Sequence, residues 1–445
     1  MKKGIKIRKH ISSFQTIILG FLGVILLGAV LLCMPFCSQS GEFTLFSDAL
    51  FTSTSAVCVT GLIRVDTATH WSLLGQIIIL LLIQIGGMGV VTVVSSFALI
   101  SGRRIGLFGR STMQEAMGAQ KVGGIVRLLR FILIITFSIE LLGAAAMAPV
   151  FCRDFGILKG LWMSIFHSIS AFCNAGFDLL GETAQFSSLT SYAANPLINI
   201  VIMLLILFGG LGFLTWDDIC VHRFHLRKYR MQSKVVLSMT FVLVLLPAIL
   251  FFFTEFSDKP ISERILYSLF QAVTPRTAGF NTADFSLMSE GALLVMIVLM
   301  LIGGSSGSTA GGMKTTTVAV LLGECLSVFR RKNSVSLFKR RIEDSTVKNA
   351  AAIFVMYVSL FLCGSIAISL IEGLPILTCM FEAGSAVATV GLTMGITPTL
   401  SLASQIILMA LMFLGRVGGL TLVYAAFSSS KQNLSQLPSE KITVG

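Results

Sequence analysis

The stretch Val273-Thr-Pro-Arg-Thr-Ala-Gly-Phe-Asn281 recurs in weaker form three more times in the 445 residues. The other copies are Ala56-Val-Cys-Val-Thr-Gly-Leu62, Ala171-Phe-Cys-Asn-Ala-Gly-Phe177 and Ala386-Val-Ala-Thr-Val-Gly-Leu392. Each runs through small or hydroxyl residues to one glycine, then Leu or Phe. Gly61, Gly176, Gly279 and Gly391 are 115, 103 and 112 residues apart. A near-constant period of that size predicts four copies of one structural unit.

Outward from each glycine the apolar runs repeat as well. In the first unit Ile11–Met34 is long enough to cross a bilayer as a helix, Leu45–Ala56 covers about half of one, and Trp71–Ile100 is a second full span. The second unit has Gly124–Val150, the short Leu161–Ala171 and Leu197–Trp216. The third has Val235–Phe253, the short Glu263–Val273 and a span from Gly291 onward; the fourth has Ala350–Ile371, the short Ile376–Ala386 and Ile406–Phe427. This pattern predicts an all-α integral membrane protein of eight spans and four short re-entrant helices, with units at 1–120, 121–230, 231–345 and 346–445.

Composition agrees. The chain is 55% hydrophobic and 12% charged, with a mean hydropathy of +0.89; soluble domains carry about 25% charged residues. The net charge of +12 lies in short runs between apolar segments, a pattern of membrane topology and not of a nucleic-acid face. The nine cysteines form no CxxC pair and sit in apolar context, as small packing residues do.

Twenty-five of the 33 Lys and Arg fall on one side, in Lys2–Lys9, Arg103–Arg130, Arg223–Lys234, Arg330–Lys348 and Lys431–Lys441. Six fall on the other side, and Lys314 and Arg416 lie at membrane depth. The positive-inside rule puts both termini in the cytoplasm and brings the glycine loops in from outside. Thirteen of the 21 carboxylates are outside, among them Glu42, Asp48, Asp66, Asp178, Glu182, Asp284 and Glu382. A negative mouth concentrates cations; ordinary solvated loops carry such acids as well.

A short helix that enters a membrane returns as extended chain, whose unpaired backbone groups are costly against lipid. They are tolerated against a water-filled axis or an ion. Four equivalent loops around one axis can replace the hydration shell of a cation with carbonyl oxygens. Glycine at each centre admits backbone shapes closed to other residues. Among 41 glycines a single one means only close helix packing. Four in register, each between a short helix and a span, point to one central ion pathway.

At these residues the chain resembles the Ktr/Trk/HKT superfamily of potassium transporters, most of all the Ktr-type membrane subunit, over nearly its whole length. The likeness rests on Thr274-Pro-Arg-Thr-Ala-Gly-Phe-Asn281, Ser170-Ala-Phe-Cys-Asn-Ala-Gly-Phe177, Val390-Gly-Leu-Thr-Met-Gly395 and Gly303-Gly-Ser-Ser-Gly-Ser-Thr-Ala-Gly-Gly-Met-Lys314. It implies four pseudo-symmetric helix–pore-helix–helix repeats around the pathway. It also implies a selectivity filter that binds potassium ion at Val59, Thr60, Gly61, Asn174, Ala175, Gly176, Thr277, Ala278, Gly279, Thr389, Val390 and Gly391. A serine at the first central position accompanies sodium transport in the superfamily; glycine at all four favours potassium here. A dependence on sodium ion, known in the family, is not readable from these residues. Cys58 stands where a hydroxyl or small residue is expected.

Gly303, Gly304, Ser305, Ser306, Gly307, Ser308, Thr309, Ala310, Gly311 and Gly312 interrupt the span after the third glycine loop. Each glycine costs a helix about 1 kcal/mol relative to alanine, so no straight helix forms. Met313 separates Gly312 from Lys314 and breaks the phosphate-loop pattern. Irregular backbone at that depth belongs inside protein or against a cavity. A packing break between close helices is the plain alternative; the resemblance implies an intramembrane gate. Arg416 in a span costs about 2.5–3.5 kcal/mol or more, so it should face the cavity, and the resemblance makes it part of the barrier below the filter. Lys314 is either a second cavity charge or snorkels to the inner surface. Glu140 lies in a span with no evident partner. Arg276 either braces the third loop or forms an outer ion pair.

The inner loops are too short for a nucleotide-binding fold. No HExxH or paired intramembrane carboxylate points to an enzyme, and no organic cofactor is expected. The resemblance implies a homodimer and a cytosolic nucleotide-binding ring as regulatory subunit. Arg103–Arg110, Arg223–Arg230 and Arg330–Arg341 are docking candidates, although such runs also serve topology and contact membrane lipid. Leu437–Gly445 is a candidate for the dimer interface. The expected function is potassium uptake across the cell membrane, driven by the potential. The alternatives are a sodium uniporter of the same architecture and a secondary transporter of another small solute, for which two inverted repeats are expected.

Overall fold

The computed structural model describes residues 12–101, 106–117, 123–223, 225–332 and 334–418. The tail Lys2–Lys9, Arg103, Lys121 and everything from 419, with Leu437–Gly445 and the predicted end of the last span, lie outside the described residues.

The helices come in four successive groups. The first holds α1 (Ser13–Cys33), α2 (Phe46–Cys58), α3 (Thr67–His70), α4 (Leu73–Met88), α5 (Val90–Ile100) and α6 (Leu107–Met117). The second holds α7 (Ile125–Phe155), α8 (Ile157–Cys173), α9 (Pro196–Gly210) and α10 (Phe213–His222). The third holds α11 (Met231–Thr254), α12 (Ile261–Val273), α13 (Glu290–Leu301) and α14 (Thr315–Phe329), then a hairpin of β1 (Ser336–Leu337) and β2 (Arg340–Arg341) with Ser336 opposite Arg341. The fourth holds α15 (Asp344–Glu372), α16 (Ile376–Val387) and α17 (Leu402–Val417).

Helices α1, α7, α11 and α15 are long and apolar enough to cross a membrane. They expose Leu27, Leu141, Phe241 and Val355, a surface that lipid and not water would cover. The short helices lie inside. From Phe51 to Cys58 on α2 and from Phe381 to Val387 on α16 every residue is buried, as in a helix enclosed by protein on all faces.

Helices α4, α9, α13 and α17 start alike. Ser72, Asn195, Ser289 and Ser401 are N-caps whose side chains accept backbone N–H groups of Gly75, Leu197, Ala292 and Ser404. In the third and fourth groups the cap is also tied to the end of the first long helix: the Ser289 hydroxyl donates to Glu255 at 2.6 Å and that of Ser401 to Glu372 at 2.5 Å.

The spans predicted at Trp71–Ile100 and Leu197–Trp216 are both broken. Helices α4 and α5 meet at 95°, and α9 and α10 at 97°. Gly89 and Gly212 at the breaks have φ of 85° and 87°, which a right-handed helix cannot contain and glycine adopts freely. Gly418, with φ of 89°, ends α17 in the same way. In the third group the break widens to the whole loop between α13 and α14. The underlying pattern is Gly86-Gly-Met-Gly89, Gly209-Gly-Leu-Gly212, Gly303-Gly304 and Gly415-Arg-Val-Gly418. Methyl groups at Gly86, Gly209 and Gly415 would collide with the carbonyl oxygens of Val57, Phe172 and Val387. The absent side chains let α4, α9 and α17 rest on the ends of α2, α8 and α16.

Candidate functional site

After each short helix the chain passes through one left-handed residue: Val59 (φ 57°), Asn174 (59°), Thr277 (65°) and Thr389 (53°). Each stands two before its glycine, whose φ is again positive, at 93° for Gly61, 68° for Gly176, 79° for Gly279 and 94° for Gly391. Val59, Thr277 and Thr389 are β-branched, and such a conformation costs them of order 1–3 kcal/mol each. The surrounding packing has to impose it.

Backbone donors of the loops bond to the short helices. The N–H groups of Thr60, Ala175, Ala278 and Val390 donate to the carbonyls of Ser55, Ser170, Thr274 and Ser385 at 2.8, 2.7, 3.0 and 2.8 Å. The hydroxyls of Ser55 and Ser385 accept from Gly61 and Gly391 N–H at 3.0 and 2.9 Å. Those of Ser170 and Thr274 donate to the carbonyls of Phe177 and Phe280.

The four glycines close a ring. A methyl group at Gly61 would lie 3.1 Å from Cα of Gly176, one at Gly176 2.8 Å from Cα of Gly279, one at Gly279 3.3 Å from Cα of Gly391, and one at Gly391 3.0 Å from Cα of Gly61. The same methyl groups would meet the carbonyl oxygens of Ala175, Ala278, Val390 and Thr60. Bare backbone from all four groups therefore surrounds one axis. All twelve residues from Val59 to Gly61, Asn174 to Gly176, Thr277 to Gly279 and Thr389 to Gly391 are buried there.

The Gly303–Gly312 loop lies directly against this ring. Its ends are joined by Gly303 N–H donating to the Met313 carbonyl at 2.8 Å. The Ser305 hydroxyl donates to the Gly210 carbonyl at 2.8 Å, and that of Thr309 to the Phe172 carbonyl at 3.0 Å. A methyl group at Gly311 would strike the Thr389 side chain, and one at Gly312 would lie 2.9 Å from the Ala388 carbonyl oxygen. Arg416 donates to the carbonyls of Thr309 and Gly86, and to that of Gly87 at 3.2 Å. It occupies the place that Gly87, Gly210 and Gly304 hold in the other groups. Lys314 folds back onto its own loop, with Nζ donating to the carbonyls of Ala310 and Gly311 at 2.7 and 3.2 Å. Both cations line a cavity of about 250 Å³, bordered also by Gly87, Glu115 and Ser306.

The sequence profile of the TrkH family, described as cation transport protein, matches residues 3–436. The potassium/sodium uptake protein NtpJ of Enterococcus hirae is 41% identical, over 100% of this chain and 99% of that protein. The Ktr system potassium uptake protein B of Bacillus subtilis is 37% identical, over 97% of this chain and 96% of that protein.

The chain belongs to the TrkH family of cation transport proteins.

The crystal structure of the potassium transporter TrkH from Vibrio parahaemolyticus shares its fold, with a TM-score of 0.75 over 95% of this chain and 86% of that one at 18% identity. As a TrkH-family protein the chain is a multi-pass, all-α membrane protein with four pseudo-symmetric repeats.

Several charged residues of this TrkH-family chain differ from their sequence reading. Glu140 does have partners: it is buried and accepts from Gln84 Nε2 at 3.0 Å, with Cys173 Sγ 3.9 Å away. Arg276 is no outer ion pair; it is buried and donates to the Thr240 carbonyl of α11 at 3.4 Å. Glu382 and Asp48 do not furnish a solvated mouth. Glu382 is buried within α16, and Asp48 is buried and paired with Arg64. The left-handed residues and the breaks at Gly89 and Gly212 went unread. Their signals were the position two before each ring glycine and the recurring Gly-x-x-Gly.

Proposed function

We propose that the protein takes up potassium across the cell membrane, through a selectivity filter formed by the carbonyl oxygens of Val59–Gly61, Asn174–Gly176, Thr277–Gly279 and Thr389–Gly391. The closed ring of four glycines, each packed against a backbone carbonyl of the next loop, is the observation that supports this reading. Such oxygens replace the water that a cation sheds. With both termini cytoplasmic, entry runs down the membrane potential, which is worth about 2.3 kcal/mol per 100 mV for one charge. The four units at 1–120, 121–230, 231–345 and 346–445 each contribute one loop.

Below the filter, Gly303–Gly312 with Lys314 and Arg416 forms the gate. Two cations beside the pathway repel an incoming ion, and the loop must move for the path to open. A homodimer controlled by a cytosolic nucleotide-binding regulatory subunit completes the assembly; a relative named as protein B of a Ktr system supports a multi-component arrangement. The name of the Enterococcus relative joins potassium and sodium, and sodium enters here as a second or coupling ion.

Expression in a bacterial strain that lacks potassium uptake tests the reading. Growth on limiting potassium is expected. Growth no better than that of the empty strain, with the protein present in the membrane beside its regulatory subunit, contradicts it.

A further inference from the structure

The short helices carry a second, dissimilar set of buried polar residues. Ser55, Ser170, Thr274 and Ser385 fix the register between units, because each hydroxyl bonds to its own glycine loop. Three residues earlier stand Thr52, His167, Gln271 and Glu382, each 0% exposed. Burying such groups is unfavourable unless they are hydrogen-bonded.

Three of the four bond to the same place on the chain. His167 Nε2 accepts from Leu179 N–H at 3.4 Å, while its Nδ1 faces the Met163 carbonyl at 2.8 Å. Gln271 Nε2 donates to the Thr282 hydroxyl at 3.1 Å. Glu382 accepts from Met394 N–H at 3.1 Å, from the Thr397 hydroxyl at 2.9 Å and from the Thr393 hydroxyl. Leu179, Thr282 and Met394 each stand three residues after the ring glycine of their unit. In the first unit the Thr52 hydroxyl has no partner among the described residues.

We propose that His167, Gln271 and Glu382 are positioning residues for ion selectivity, which clamp the chain just outside each ring glycine and so hold the width of the carbonyl ring. This rests on the filter reading above. The backbone bonds of Thr60, Ala175, Ala278 and Val390 to the short helices hold each loop before its glycine, and the clamp holds it after. A loop fixed on both sides cannot contract around a smaller ion. In the first unit the residue three after the ring glycine is Arg64, which is held to α2 through Asp48 and not through Thr52.

The test is the ratio of rubidium to sodium uptake by the purified full chain in liposomes, with total uptake and thermal unfolding measured alongside. Gln271→Met and Glu382→Leu remove clamps. Each is expected to lower the ratio about threefold to tenfold, the effect of about one net hydrogen bond, with rubidium uptake retained. Gln271→Glu and Glu382→Gln keep an oxygen within reach and are expected to restore the ratio toward wild type. Thr52→Ala, which removes no hydrogen bond, is expected to leave it unchanged. Should Glu382→Leu fail to fold, Gln271→Met and its rescue decide.

Unchanged ratios in both clamp variants overturn the proposal, even where unfolding temperature falls, because that is a purely structural role. An equal fall in Thr52→Ala overturns it as well. Gly279→Ser separates the two levels. Lost selectivity there, beside intact selectivity in the clamp variants, sinks the clamp and leaves the filter. Intact selectivity in Gly279→Ser sinks the filter reading itself.

Discussion

The guanidinium of Arg416 donates to the carbonyl oxygen of Thr309, in the middle of the Gly303–Gly312 loop. One side chain of the fourth unit thus holds the irregular loop of the third, and its other contacts, at Gly86 and Gly87, reach the first. In the proposed gate the loop and the arginine therefore act as one obstruction rather than two.

Arg416→Ala should therefore raise cation uptake. Hydrogen bonds from a charged donor contribute about 1.5–3 kcal/mol each, and each 1.4 kcal/mol removed from a barrier is about tenfold in rate. An increase of about tenfold in initial tracer uptake at equal protein density is expected. A decrease, with unfolding temperature preserved, would mean that Arg416 supports the path instead of obstructing it.

Shortening the loop by removal of 303–312 tests the same region from the other side. The expected result is uptake that no longer responds to the regulatory subunit, measured as equal rates with and without it. Retained regulation would place control elsewhere.

The broken helices give a pair of stability predictions. Gly89 and Gly212 share a left-handed backbone, but a methyl group at Gly89 has only Thr92 Oγ1 near it, at 3.7 Å, whereas one at Gly212 lies 2.8 Å from both Ser305 Oγ and the Ser306 carbonyl oxygen. Gly89→Ala should cost about 1–3 kcal/mol, the penalty of a positive φ with extended ψ alone. Gly212→Ala should cost more, since the 303–312 loop has to shift as well. Thermal unfolding in detergent ranks the two, and equal losses would show that the loop yields freely.

Much of this organisation was legible because it is written four times. One glycine loop is ambiguous; four at a regular spacing, each after a short apolar run, admit few folds. Arg416 was legible as an unaffordable charge in a span. The breaks at Gly89 and Gly212 were hidden because hydropathy continues through them, and average apolarity is blind to a single φ. Val59, Thr277 and Thr389 were hidden for the opposite reason: local preference for a β-branched residue opposes the conformation that tertiary packing imposes. The partner of Glu140 is Gln84, 56 residues away, and Glu382 finds its donors beyond the ring glycine. Such contacts exist only once the loops have folded back on their helices.

Outside the spans, His70 supplies a pH prediction. Its Nε2 lies 3.1 Å from the Thr44 hydroxyl, and the ring stands edge-on to Trp71. Partial burial holds the imidazole below its usual 6.5, with the negative charge of Asp48 offsetting part of that effect. The unfolded chain then binds a proton more readily than the folded one. The contribution of His70 to stability is complete above about pH 6.5 and is lost as pH falls below it. His70→Gln should flatten unfolding temperature against pH in that window. An unchanged acid slope would assign it to other groups.

The most direct measurement of the four-carbonyl filter is uptake of rubidium and of sodium into liposomes holding the purified protein, with an inside-negative potential, for the wild type and Gly279→Ser. The neighbouring Val390 carbonyl and the Cα of Gly176 leave no room for a side chain at Gly279. The expected result is rubidium uptake that external potassium blocks, little sodium uptake, and a substitution that lowers the rubidium-to-sodium ratio. Equal ratios in the two proteins would contradict a filter at these glycines.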